Sequence, residues 1–305
     1  MSYDKQFDKQ TKEIRDICGK LFAEGKVDVI LAQTEGGFDG GLIPFVAKSA
    51  DDVERIAWSD RCRQNLAPYL HGRKDRVGIV AMPCDARAVA QYVNESQLLR
   101  ENVFIIGVDC PGMVDADGTQ RPGCRECKVR VAPVCDVRVE GQDKGDGSFC
   151  LAASGETKRT VPFVLLPGDG SAQTPEEKFA KFKGEIDKCI LCFSCRQACY
   201  GCYCKSCFIE RDMPDWQPAE IDAGTKMAFH LGRAMHLAGR CVECGACEAA
   251  CASGVDVRYI ISEVTDFVED LYGFKTGMDV GTAQAMVSYS LDDREVGFLG
   301  EGGHE

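Results

Sequence analysis

Two cysteine runs constrain what this chain can fold into more than any other feature of its sequence. Each run has the spacing C-x2-C-x2-C-x3-C. The first consists of Cys189, Cys192, Cys195 and Cys199, and the second of Cys241, Cys244, Cys247 and Cys251. Three thiolates on one tight loop reach three corners of a 4Fe–4S cubane, and the fourth cysteine, a helical turn later, crosses to another cluster. The spacing therefore predicts two clusters that exchange their fourth ligands.

The exchange assigns four cysteines to each cluster. Cluster 1 is expected on Cys189, Cys192, Cys195 and Cys251. Cluster 2 is expected on Cys241, Cys244, Cys247 and Cys199. Zinc is the alternative, but a tetrahedral zinc site needs only paired C-x2-C hooks and would leave a third cysteine over in each run. Because so specific a run occurs twice, the sequence indicates an iron–sulfur protein.

Composition excludes several other classes of protein. The chain has 305 residues, 19 cysteines and a net charge of −12. This acidic balance argues against a nucleic-acid partner, because phosphate binding requires an excess of Lys and Arg. Residues 1–12 have no apolar signal-peptide core, and no apolar run approaches the roughly 20 residues of a membrane span. We therefore expect a cytoplasmic protein whose thiols bind metal, in a host with anaerobic metabolism.

Residues 1–175 are predicted to form an α/β domain. Helices are expected at residues 4–24, from an amphipathic pattern, and at 49–59, where Ser49 can act as the N-cap. Short apolar runs predict strands at 27–32, 42–47, 77–81 and 103–108. A helix at 85–99 between the last two strands predicts one crossover unit with a parallel pair of strands.

Residues 176–275 are predicted to form a two-cluster ferredoxin-like α+β domain. This domain is expected to contain an insertion at 200–240 and to precede a tail at 276–305. Thr174 followed by Pro175 predicts a helix that runs to Asp187, just before the first cysteine run. Another helix is expected at 226–238, and an apolar stripe predicts a docking helix that ends at Gly273.

Four further cysteines lie at predicted strand ends or in a hook. Cys84 follows one predicted strand and Cys110 follows the next, while Cys124 and Cys127 form a C-x2-C hook. If the two strands are parallel neighbours, both cysteines reach the sheet edge at which open α/β sheets bind ligands. These four thiols can then form a third cluster site, cluster 3. The alternative is two small buried cysteines and a hook that binds zinc or nothing.

The sequence around these four cysteines resembles the beta-subunit family of deazaflavin-coenzyme-dependent hydrogenases and formate dehydrogenases. The resemblance covers roughly residues 25–140 and rests on residues 76–87, 101–112 and 123–127, with Pro133 and Asp136 beyond. It implies a 4Fe–4S cluster on Cys84, Cys110, Cys124 and Cys127, beside a flavin. The family more often has Thr-Pro-Cys where this chain has Met82-Pro83-Cys84.

The part at about 185–255 is similar to iron–sulfur subunits of heterodisulfide-reductase-linked complexes. The bacterial ferredoxin run normally ends in Cys-Pro, whereas here Tyr200 follows Cys199 and Ala252 follows Cys251. These departures remove no ligand, but they leave open the path of the chain after each cluster.

Three cysteines in the insertion have no assigned partner. Cys202, Cys204 and Cys207 can hold a further cluster or metal with a ligand from Cys135, Cys150 or a partner subunit. They can also replace one of the assigned ligands. The alternative is that they are small buried residues.

Basic side chains near the second run are expected to act on the clusters. Arg233 and Arg240 can offset the negative charge of thiolate-ligated iron and raise its reduction potential. Packing or surface roles are expected for His230 and His236, which share the predicted helix at 226–238.

Together these features predict an electron-transfer subunit of a cytoplasmic multi-subunit oxidoreductase. It would relay single electrons through three or more 4Fe–4S clusters. The expected partners are a flavin, hydrogenase or dehydrogenase subunit and a heterodisulfide-reductase-type subunit. One alternative is a flavin-containing (FAD or FMN) beta subunit that oxidises a deazaflavin or nicotinamide donor. The other alternative is a structural zinc–thiol adaptor.

A dinucleotide site of the Rossmann type is not expected. The glycines at 36–41 do not form G-x-G-x-x-G, and they precede a β-like run rather than a helix. Such a site needs a helix N-terminus at the pyrophosphate.

Overall fold

The computed structural model describes residues 7–37, 40–141, 174–210, 220–285 and 287. Cys150, part of the expected insertion and most of the expected tail lie outside the described residues. Within the described ranges, none of the helices has the length and apolar character that crossing a lipid bilayer requires.

A five-stranded mixed sheet forms the centre of the N-terminal part. Its strands are β1 (Val29–Glu35), β2 (Leu42–Ala47), β3 (Val77–Ala81), β4 (Val103–Val108) and β5 (Val137–Val139). Their order in the sheet is β2-β1-β3-β4-β5. β1, β3, β4 and β5 are parallel, and β2 pairs antiparallel with β1. The expected α/β character and the parallel pair of β3 and β4 are thus confirmed.

Helices cover both faces of this sheet because strand side chains alternate between the faces. On one face, Ile30 of β1 and Ile106 of β4 share a core with Ile14 of helix α1 (Asp8–Ala23). On the other face, the neighbouring strand residues pack against helix α2 (Pro83–Asn94). The α/β layering therefore follows directly from apolar strands buried on both faces.

Three predicted elements differ in the structure. The helix expected at 49–59 is a short 3-10 helix, Ala50–Arg55, because Ser49 makes no capping hydrogen bond and Ile56 turns to extended backbone. Helix α2 begins before the expected residue 85, since the Asp85 carboxylate accepts a hydrogen bond from the Met82 N–H at 2.9 Å. It also ends before the expected residue 99, and Ser96 then turns the chain with a φ of 56°.

Helices and turns form the C-terminal part. The helices are α4 (Pro175–Asp187), α5 (Ser194–Gln197), α6 (Ala223–His236), α7 (Ala246–Ala249) and α8 (Val257–Tyr272), after a short α3 (Pro122–Glu126) in the N-terminal part. α6 packs against α4 and α8, and α5 packs against α7. No strand occurs between 174 and 287 in the ranges described, so the structure does not show the expected β component of this domain.

Sequence signals at the ends of these helices are confirmed. Thr174 and Glu177 form a reciprocal capping pair, with hydrogen bonds of 3.2 and 2.8 Å between each side chain and the other residue's N–H. Gly273 ends α8 in the left-handed conformation, with a φ of 61°. α6 begins before the expected residue 226 because the Asp222 side chain caps it.

Buried polar contacts join the N-terminal and C-terminal parts. Arg87 of α2 donates to the carbonyl oxygens of Val242 at 3.1 Å and Thr276 at 2.9 Å. The Tyr92 hydroxyl donates to the carbonyl oxygen of Tyr200 at 2.6 Å. Because these side chains are buried, the contacts fix the cysteine-rich part against the sheet.

An ion pair at the same junction is partly shielded from water. Glu95 accepts hydrogen bonds from Arg240 at 3.0 Å and from the Tyr203 hydroxyl at 2.6 Å. The side chains of Arg240 and Glu95 are 21% and 7% exposed. Burial alone would raise the pKa of Glu95, but the hydrogen bonds from Arg240, Tyr203 and Gln91 outweigh it and lower that pKa.

We predict that Glu95→Gln lowers the free energy of unfolding by about 3 kcal/mol, because it leaves the Arg240 charge without its partner. Anaerobic urea unfolding at pH 7 measures this loss. A carboxylate with a lowered folded pKa stabilises the fold above its unfolded pKa, so the difference from wild type should shrink below about pH 4.3.

Asp28→Asn is the matched control, since Asp28 pairs with Arg76 at the surface, where the two side chains are 44% and 51% exposed. Its effect should be much smaller. Equal losses for the two variants would contradict the structural role of Glu95.

Candidate metal centres

One recess in the C-terminal part is lined by cysteines of both runs. It encloses about 310 Å³, part of it open to solvent. Its cysteines are Cys189, Cys192, Cys195 and Cys251. Cys189 and Cys195 are buried, whereas Cys192 is exposed. The structure thus brings together the four residues that spacing assigned to cluster 1, and we call this recess the outer recess.

A second recess collects the other four cysteines. It encloses about 450 Å³, again partly open to solvent. Its cysteines are Cys199, Cys241, Cys244 and Cys247. These are the residues that spacing assigned to cluster 2, and we call this recess the inner recess. In both recesses, three cysteines come from one run and the fourth comes from the other.

The two runs share one backbone conformation. Leu191 and Phe193 have φ values of 54° and 59°, and the matching Glu243 and Gly245 have φ values of 58° and 68°. The left-handed conformation costs roughly 1 kcal/mol or more for a non-glycine residue. Three such residues in two short loops indicate strain of the kind that is retained at functional sites.

These loops direct backbone N–H groups at sulfur. The donors, each 3.3 Å from its acceptor, are Leu191 to Cys189 Sγ, Glu243 to Cys241 Sγ and Val255 to Cys251 Sγ. Such hydrogen bonds favour the thiolate form. Hydrogen bonds to sulfur are also one of the ways in which a protein sets the potential of an iron–sulfur cluster. The donor set therefore fits a thiolate-ligated group.

The spacing of the side chains suits a cubane better than a single ion. Thiolates that share a zinc ion lie within about 4 Å of one another, because each Zn–S bond is about 2.3 Å long. Across the described ranges, no group of three or more His, Cys, Asp or Glu side chains is arranged to hold one ion. A cubane holds its four cysteines farther apart, and the two four-cysteine recesses fit that requirement.

Arg233 lies between the two recesses. It is 3% exposed and donates to the Cys195 carbonyl oxygen at 3.1 Å. Burial would lower its pKa, but the neighbouring thiols, those of Cys199 and Cys247 foremost, raise it, so the guanidinium remains charged. This side chain places a fixed positive charge where both runs meet.

His230 has a role that the sequence did not indicate. It is buried against Phe229, and its Nε2 lies 3.3 Å from Cys189 Sγ. Burial first, and then the charge of Arg233, lower its pKa to about 4, so the imidazole is neutral at pH 7. The packing role expected from the sequence holds, but the side chain also contacts a cysteine of the outer recess. His236 packs edge-on against Phe208 instead.

The four cysteines expected for cluster 3 lie at one edge of the sheet. Cys84 is in the first turn of α2 directly after β3, and Cys110 follows β4, where its sulfur accepts from the Gly112 N–H at 3.4 Å. Cys124 is in α3 and packs in the same core as those two cysteines. Cys110 is close enough to Cys124 and Cys127 for their charges to interact. The parallel pairing of β3 and β4 brings the strand ends together as expected.

The three cysteine groups follow one another through the molecule. Cys84 at the sheet edge and Cys244 of the inner recess pack into one core, and their charges interact. Cys247 of the inner recess interacts in the same way with Cys195 of the outer recess. Arg121, just before α3, donates to the Gly245 carbonyl oxygen at 2.6 Å and so ties the sheet edge to the second run.

The insertion cysteines do not share one site. The Cys202 thiol donates to the Cys199 sulfur, which lowers the pKa of Cys199 and raises that of Cys202. Cys207 instead interacts with Arg196, and Cys204 is exposed. Cys135, one of the suggested fourth ligands, packs in the core near β4.

The glycines at 36–41 lie in the hairpin between β1 and β2. The Gly37 N–H donates to the Gly41 carbonyl oxygen at 3.0 Å, and the Gly40 N–H donates to the Gly37 carbonyl oxygen at 3.1 Å. Because the loop leads into the antiparallel strand β2, it does not present a helix N-terminus to a ligand.

Comparisons with known proteins agree with the resemblance noted above. Residues 74–207 match the family model that describes the C terminus of the coenzyme F420 hydrogenase/dehydrogenase beta subunit. The chain is 21% identical to F420-dependent formate dehydrogenase subunit beta of Methanocaldococcus jannaschii, over 83% of this chain and 88% of that protein. It is also 21% identical to F420-dependent formate dehydrogenase 1 subunit beta of Methanococcus maripaludis, over 85% and 88%.

We predict that Arg233→Gln makes the midpoint potential of at least one cluster more negative, by on the order of 100 mV. The reason is that the variant removes a buried positive charge beside thiolates of both recesses. A redox titration followed by EPR measures the shift.

Arg240→Gln is the control, because Glu95 already balances the charge of Arg240. It should shift the potential less than Arg233→Gln. The sequence alone suggested the same effect for both arginines, and a larger shift for Arg240→Gln would restore that expectation against the present account.

Proposed function

Because this chain belongs, through residues 74–207, to the coenzyme F420 hydrogenase/dehydrogenase beta-subunit family, we propose that it is an iron–sulfur electron-transfer subunit of a cytoplasmic multi-subunit oxidoreductase. The observation that carries this proposal is the exchange of the fourth cysteine between the inner and outer recesses. That exchange is what the doubled spacing requires of two clusters held by one chain.

The proposed ligand sets are those of the two recesses and the sheet edge. Cys189, Cys192, Cys195 and Cys251 would hold cluster 1, and Cys241, Cys244, Cys247 and Cys199 would hold cluster 2. Cys84, Cys110, Cys124 and Cys127 would hold cluster 3. When bound, 4Fe–4S clusters supply one-electron oxidation and reduction.

The chain's own residues set the conditions for that chemistry. Apolar walls exclude water from the thiolates, and the N–H groups of Leu191, Glu243 and Val255 stabilise their negative charge. The Arg233 guanidinium adds a fixed positive charge between the recesses. His230 holds Cys189 with a neutral imidazole, which adds no charge to the outer recess.

Exposure suggests which end of the series meets a partner. Cys192 is exposed, and Ile190 beside it is 58% exposed in the same loop. We therefore propose that the outer recess faces another subunit of the complex, of the heterodisulfide-reductase type. The sheet edge at the other end of the series would face a flavin, hydrogenase or dehydrogenase subunit.

A flavin-containing enzyme is the second candidate function. The matched relatives are named F420-dependent formate dehydrogenase beta subunits. This supports a chain that itself binds FAD or FMN near the sheet edge and oxidises a deazaflavin or nicotinamide donor. The two candidates share the same cysteine groups and differ in flavin content.

We predict about twelve irons and twelve sulfides per chain in anaerobically purified protein, three cubanes of four each. Cys84→Ala should remove about four of these irons, because one ligand group then has three thiols. Cys18→Ala is the control and should remove none, since Cys18 is packed in the core and burial raises the pKa of its thiol to about 12. Iron, sulfide, zinc and flavin analyses measure the outcome.

Each result separates the candidates. Twelve irons without flavin support the electron-transfer subunit, and twelve irons with one flavin support the enzyme. Eight irons that persist in Cys84→Ala would contradict cluster 3. Zinc in place of iron would overturn both functions in favour of the structural adaptor.

A further inference from the structure

Two thiols meet at the fourth corner of the inner recess. Cys199 lines the recess with the three cysteines of the second run. Cys202 lies next to it, since the Cys202 N–H donates to the Cys199 carbonyl oxygen at 3.2 Å and both side chains pack in the same core. The sequence Cys199-Tyr-Gly-Cys202 is itself a C-x2-C hook, a common metal-binding spacing. No comparable second thiol accompanies the cysteines of the second run among the described residues that line this recess.

A buried cation faces the same corner. Arg233 is 3% exposed, and within the described part of the chain its Nε has no hydrogen-bond partner. Its guanidinium interacts with the sulfurs of both Cys199 and Cys202. A buried N–H without a partner is costly, so this side chain points to negatively charged sulfur at this place. The corner is therefore suited to a thiolate from either cysteine.

The hook between the two thiols is held in place. Tyr200 is 2% exposed, its hydroxyl donates to the Arg240 carbonyl oxygen, and its own carbonyl oxygen accepts from Tyr92. Gly201 allows the close turn, because a Cβ there would lie 2.7 Å from Leu237 Cδ2. Both sulfurs are thus fixed near the recess by the same contacts.

We propose that Cys199 and Cys202 form a two-thiol corner, in which either thiolate can be the fourth ligand of cluster 2. On exchange, the iron–sulfur bond to one cysteine breaks and the bond to the other forms. The incoming thiol passes its proton to the departing thiolate, so charge and electron count are unchanged. The inference rests on the proposed function, since it requires a cluster in the inner recess.

The test compares four variants of the full chain, each purified anaerobically. Cys199→Ala and Cys202→Ala each leave one thiol at the corner, and the double variant leaves none. Cys241→Ala removes a ligand from a corner that has one thiol. Iron and sulfide content and the EPR spectrum are measured for each variant, and circular dichroism shows whether it is folded. Cys204→Ala, an exposed cysteine of the same insertion, controls for thiol loss itself.

The two-thiol corner predicts that each single variant keeps its iron, with an altered EPR signal in Cys199→Ala, whereas the double variant loses about four irons. The inference is overturned if Cys199→Ala or Cys202→Ala alone loses as much iron as the double variant. If Cys241→Ala also keeps all its iron, the proposed cluster in this recess fails, and the inference fails with it. If a single variant does not fold, the matching serine variant gives the same comparison.

Discussion

The fold depends on placing many sulfur atoms in the protein interior. Burial raises the pKa of thiols such as those of Cys84, Cys241 and Cys244. Their thiolates are therefore unfavourable until a cation binds them, and metal binding must displace their protons. The helices α5 and α7 are each only four residues long. Because such short elements bury little apolar surface, the cysteine-rich part is expected to obtain much of its stability from thiolate–metal bonds.

The same constraint explains why polar contacts join the two parts of the chain. Arg87, Arg121 and Arg240 each reach across the junction to a carbonyl oxygen or a carboxylate. These contacts hold the second cysteine run against the sheet edge at which Cys84 and Cys110 lie. A series of cysteine groups is useful for electron transfer only if the groups keep a fixed order and separation. The junction supplies that rigidity through buried arginines instead of a large apolar interface.

Local signals in the sequence were sufficient for part of this arrangement. The strands at 42–47, 77–81 and 103–108 have the predicted bounds, and the doubled cysteine spacing anticipated which four cysteines line each recess. The helix expected after Ser49 was wrong, because the Asp52 carboxylate accepts hydrogen bonds from the Lys48 N–H and the Ser49 hydroxyl. That local network replaces the cap.

Contacts between distant residues were beyond the sequence. Glu95 and Arg240 are separated by 145 positions, so nothing local distinguishes Arg240 from Arg233. The contact of His230 with Cys189 likewise depends on how α6 packs beside the first run. The pairing of Cys202 with Cys199 was also open, since spacing alone allowed a separate site with Cys204 and Cys207. Tertiary packing decides each of these cases.

The central claim is that three cysteine groups hold clusters in one contiguous series. The most direct test is the EPR spectrum of the fully reduced wild-type protein, compared with spectra taken at partial reduction. Neighbouring paramagnetic clusters interact magnetically, so the account predicts a spectrum that broadens and splits as the last cluster is reduced. Sharp signals that simply add, with no change between partial and full reduction, would show isolated centres and contradict the series.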